Sequence, residues 1–73
     1  MSRLKEDLIK IVKLGSGVKF NGFNYSTDDL VLIVSSASNN NATIILTNMS
    51  LRLTDDLIKI AYASKCNIIF DVE

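Results

Sequence analysis

The chain predicts an α/β domain of three stacked helix-strand units, with a small parallel three-stranded sheet and all helices on one face. Two observations carry this. One phrase occurs three times, as Leu4-Lys5-Glu6-Asp7-Leu8-Ile9-Lys10-Ile11, Ser26-Thr27-Asp28-Asp29-Leu30-Val31-Leu32-Ile33 and Leu53-Thr54-Asp55-Asp56-Leu57-Ile58-Lys59-Ile60. Each phrase is followed, about a dozen residues on, by an apolar, β-prone stretch, as in repeats whose neighbours complete one another's core. The units cover about residues 1–22, 23–49 and 50–73 of a single domain, 1–73.

In the first unit Leu4, Leu8, Ile11 and Val12 make the stripe of an amphipathic helix. Gly15 and Gly17 end it. Val18 and Phe20 flank Lys19, which predicts a short alternating strand with one wet face, and Asn21-Gly22 predicts a turn.

The second unit opens at Tyr25. Ser26 or Thr27 caps a helix whose first turn holds Asp28 and Asp29, where carboxylates complement the positive end of the dipole. The helix is expected to reach Ser38, because Asn39, Asn40 and Asn41 favour a turn. A strand follows from Ala42 to Leu46, and its unalternating Ile44-Ile45-Leu46 suits a strand covered on both faces.

In the third unit Thr54 is expected to cap, Asp55 and Asp56 to occupy the first turn, and Leu53 to pack back on Ile58 as a hydrophobic staple. Cys66-Asn67 breaks the helix and Ile68, Ile69 and Phe70 form the last strand.

Aligning the helices places an aliphatic residue at Leu8/Leu30/Leu57, Ile9/Val31/Ile58, Ile11/Ile33/Ile60 and Val12/Val34/Ala61. The position between them is Lys10, Leu32 and Lys59, which predicts a middle helix flanked on both sides. Short connections and right-handed crossovers then give the parallel sheet. Its open face carries Lys19, Ile45 and Ile69, and a parallel sheet is rarely left wet.

Charge excludes some function classes. Eight Lys and Arg balance eight Asp and Glu, and 48% of residues are apolar, so the chain is a packed globule without a global basic field. With one cysteine and no histidine, neither an intrachain disulfide nor a His-containing zinc cage can form. A domain this small draws only about 3–5 kcal/mol from its core, so self-association is the expected source of further stability. No signal-peptide layout is present, and no apolar run nears the roughly 20 residues of a membrane span, so a cytoplasmic location without membrane contact is expected. The Asn-x-Ser/Thr triplets at Asn24, Asn41 and Asn48 are then chance matches.

Each chemical motif has a structural explanation. The acidic pairs sit at helix starts, where capping and the dipole account for them. Cys66 lacks a histidine base and suits a half-buried thiol. Gly15-Ser16-Gly17 follows a helix instead of preceding one, so its amides do not aim at a phosphate. No catalytic residue, metal ligand or cofactor site is expected.

The phrase from Thr54 to Ala61 with Ala63-Ser64-Lys65, followed by Asn67-Ile68-Ile69-Phe70, resembles small bacterial and phage proteins built from repeated Ser/Thr-x-x-Asp-Leu helix-strand units. In the parallel stacking of short units the chain is also similar to leucine-rich repeats, though without their Asn ladder or Leu-x-x-Leu-x-Leu strand. The resemblance covers about 50 residues, implies architecture and brings no catalytic residues.

The expected function is a non-enzymatic protein-protein interaction module. It binds a protein partner and a second copy of itself, in the manner of a phage- or plasmid-borne inhibitor or accessory regulator. The candidate contact residues are Phe20, Phe23 and Tyr25 around the first turn, and Ile45, Ile69 and Phe70 on the sheet. The alternative is a nucleic-acid-associated regulator that uses Arg3, Lys5, Lys10 and Lys13 of the first helix.

Overall fold

The computed structural model describes residues 5–37 and 42–73. Helices α1 (Lys5–Lys13), α2 (Thr27–Ser35) and α3 (Thr54–Ala63) alternate with strands β1 (Val18–Asn21), β2 (Thr43–Thr47) and β3 (Asn67–Phe70). The strands form one parallel sheet in the order β1-β2-β3, with Lys19 beside Ile45 and Ile45 beside Ile69. The fold is therefore the α/β stack that the repeated phrase predicts.

Alternation along the strands sorts the two faces. Ile44 and Leu46 of β2 are fully buried, and Val18, Phe20, Ile68 and Phe70 pack beside them. Leu8, Val12, Leu30, Ile33, Val34 and Ile60 meet them from the helix layer. Met49, from the loop after β2, is also fully buried.

Local chemistry sets the helix ends. Glu6 and Asp7 lie in the first turn of α1 and Lys10 and Lys13 in its last, each matched to the dipole. The helix stops where Gly15 takes φ 87°, a left-handed conformation costly for any residue with a Cβ, and donates to the Val12 carbonyl at 3.0 Å. Gly17 serves a different need: a Cβ built there would lie 2.8 Å from the Thr43 carbonyl oxygen.

At α2 the Ser26 hydroxyl accepts from the Asp29 amide at 3.1 Å. The helix ends at Ser35, earlier than Ser38, because the Ser35 and Ser36 hydroxyls donate back to the Leu32 carbonyl at 3.1 and 2.6 Å. Ser38 and the Asn39–Asn41 turn, like Arg3 and Leu4, lie outside the described residues.

Three expectations are corrected. Thr54 is not the cap of α3: Leu53 holds the extended cap conformation, with no side-chain cap bond, and Thr54 is already helical. Nor does Leu53 form a staple, since it occupies the cap position itself, and both it and Ile58 are exposed. The middle helix α2 is flanked by α1 and α3 as expected, but Leu32 does not mark a flanked side: it is exposed like Lys10 and Lys59, on the outer ridge that the neighbouring helices leave to solvent.

Candidate interaction surfaces

The aromatic cluster around Asn21-Gly22 divides. Phe20 points inward from β1 and meets Tyr25 edge-on, with ring centroids 5.3 Å apart at 82°. Both are half-buried. Between them residues Gly22–Asn24 form a 3₁₀ turn, closed by the Asn21 side chain, which accepts from the Phe23 amide at 2.9 Å. The turn lifts the Phe23 ring into solvent, 61% exposed. Of the three aromatics, Phe23 alone is presented for contact.

Arg52 fixes that turn, although nothing in the sequence singled it out. Its guanidinium donates to the Gly22 and Tyr25 carbonyls at 3.0 and 2.7 Å and to the Thr27 hydroxyl at 2.9 Å. The loop leading into α3 thereby holds the loop leading into α2. The only sequence signal was a lone basic residue in an apolar connection, Leu51-Arg52-Leu53.

On the uncovered sheet face Lys19, Ile45 and Ile69 form one row across the strands, as the register requires. Lys19 and Ile69 are exposed and the central Ile45 is half-buried. Thr43 lies on one side of Ile45 along β2 and Thr47 on the other. Phe70 does not join this surface: it sits beside Leu46 on the inner face and packs against the core.

A further apolar surface was missed, on the flank of the third unit. Repeat-equivalent positions reveal it. Val12 and Val34 are fully buried, yet Ala61 is exposed; Ile9 and Val31 pack on the core, yet Ile58 is 59% exposed. Among the described residues α1 packs on α2 and α2 on α3, and no helix packs on the far side of α3. Tyr62, almost wholly exposed, lies beside Ala61. The signal was present in the sequence as Tyr62 standing where the first unit has Lys13.

Two ion pairs form among the described residues. Lys5 pairs with Asp29 at 3.2 Å and Lys59 approaches Asp28 at 3.5 Å, tying each outer helix to α2. Of the four cations proposed for nucleic acid, Arg3 is outside the described residues and Lys5 is paired. Lys10 and Lys13 remain exposed on α1, alongside Glu6. Cys66 is half-buried against the core, beside the Ser64 hydroxyl at 3.7 Å. Among the described residues no three His, Cys, Asp or Glu side chains converge as a metal site would need, and no helix is long and apolar enough to cross a membrane.

No family model, no curated protein and no solved structure matches this chain.

Proposed function

We propose that this chain is a non-enzymatic module that acts by binding a protein partner on its uncovered sheet face, as an inhibitor or accessory regulator would. The observation that carries the reading is the bare row Lys19–Ile45–Ile69 on a parallel sheet, an architecture whose faces are ordinarily both covered. Aliphatic side chains with a cation at one end suit a partner that offers an apolar patch with a carboxylate beside it. Contact is the favoured mode because the paired carboxylates sit at helix starts and Cys66 has no histidine to act as its base.

The test is affinity capture from the native host's lysate at moderate salt after nuclease treatment, comparing the wild type with Ile45→Asp and Lys19→Glu. Circular dichroism checks that each variant folds. A stoichiometric protein held by the wild type and lost by both variants is the expected result. A protein held equally by all three would move the contact off the sheet, and recovery of nucleic acid alone when nuclease is omitted would replace the reading.

A further inference from the structure

We propose that two copies of this chain join through their third units across a two-fold axis at Ile69, pairing β3 with its counterpart antiparallel and making one six-stranded sheet. This does not depend on what the sheet face binds.

The hydrogen-bonding groups of β3 restrict the register, and an axis on Ile69 engages both edge-facing residues of the strand. The Asn67 and Asp71 amides donate inward, to the Ala42 and Leu46 carbonyls of the β2 segment at 3.1 and 2.9 Å. Amides alternate along a strand, so Ile69 also turns toward β2 while Ile68 and Phe70 direct theirs to the free edge. In an antiparallel pair such residues lie directly opposite one another and exchange both bonds, so the axis falls on a residue and not between two. Centring the axis on Ile69 pairs them, with Ile68 opposite the second copy's Phe70 and Phe70 opposite its Ile68. The side chains agree with the backbone. Ile69, 51% exposed, meets its own symmetry mate on the outer face, and the buried-side residues meet on the inner face.

Carried outward, the same register sets the exposed Lys65 of each copy opposite the exposed Glu73 of the other, with the exposed Asp71 its diagonal neighbour. Opposite charges thus close both ends of the new strand pair. On the helix side, α3 runs antiparallel to its mate, so Asp55 and Asp56 at its start face the second copy's C-terminal end of α3. Ile58 and Ala61, exposed on the flank of α3 where no described helix packs, are then covered by the same residues of the second copy. A head-to-tail stack would instead set that apolar flank against α1, whose exposed residues include Glu6, Lys10 and Lys13, and would grow without closing.

Cysteine crosslinking tests the geometry directly. In a Cys66→Ser background, Ile69→Cys puts two thiols across a non-hydrogen-bonded antiparallel pair, with Cα atoms about 4.5 Å apart, within disulfide reach. Oxidised glutathione, itself reduced to two thiols, should convert the Ile69→Cys chain to a covalent dimer. Lys19→Cys, on the opposite edge of the sheet, should stay monomeric under the same treatment. A mixed disulfide between Ile69→Cys and Lys19→Cys chains would show head-to-tail stacking and overturn the proposal.

Sedimentation equilibrium of the unmodified full chain gives a second readout. A monomer-dimer equilibrium weakened at least tenfold by Lys65→Glu and restored when Asp71→Lys and Glu73→Lys are added is expected. A monomer at every concentration would also overturn the dimer. It would leave the sheet-face reading untouched, because that rests on Ile45→Asp and Lys19→Glu in the capture experiment.

Discussion

The Arg52 guanidinium donates to the Tyr25 carbonyl at 2.7 Å, across 27 residues of sequence, and so joins the approaches to α2 and α3. The same group satisfies the Gly22 carbonyl and the Thr27 hydroxyl. Removing it leaves three acceptors without their charged donor.

Arg52→Ala should therefore cost about 1–3 kcal/mol in chemical denaturation, the range for charged hydrogen bonds whose partners stay behind. Arg52→Lys should restore little, because one ammonium cannot reproduce the planar fork. Limited proteolysis should cut the variant first within residues 22–25.

Ser26→Ala should cost about 1 kcal/mol and Thr54→Ala only a few tenths, measured as midpoint shifts in urea. Ser26 caps the Asp29 amide, whereas Thr54 makes no capping bond. Equal costs at the two sites would contradict the cap assignment.

Gly15→Ala and Gly17→Ala should both destabilise, for different reasons. The first forces a side chain into a left-handed conformation at roughly 1–2 kcal/mol. The second drives a Cβ into the Thr43 carbonyl and should weaken β1–β2 pairing specifically, visible as faster amide exchange across β1.

Val31→Asp and Ile58→Asp change equivalent repeat positions with opposite expected outcomes. Val31 packs on the core, so its replacement should cost about 1–3 kcal/mol. Ile58 is exposed, so in dilute solution, as a monomer, its replacement should stay within about 0.5 kcal/mol.

The repetition made the architecture legible. The thrice-repeated helix phrase located three helices, and two-residue alternation around Lys19, Ile45 and Ile69 sorted the sheet faces. Finer features escaped because they depend on neighbours in space. Thr54 copies Thr27, and both stand one residue inside the helix, so the phrase alone could not say which residue caps. Leu32 looked like a flanked residue by its chemistry but lies on a ridge set by helix packing. The candidate residues divided for the same reason: Phe23 rises out because Asn21 closes the turn beneath it, while Phe70 follows strand parity inward. Arg52 gave no periodic signal, since a residue bridging two loops belongs to neither repeat.

The strand order β1-β2-β3 follows the sequence without a crossing, and each helix packs on the helix next to it. Such a chain behaves as a line of coupled segments, in which loss of one end unit spares the coupling at the other end. Amide protons in α2 and β2, which have neighbours on both sides, should exchange only on global opening. Those of the outer units should escape sooner, through partial openings that peel inward from either end. The middle third of the molecule is thus its kinetic keel.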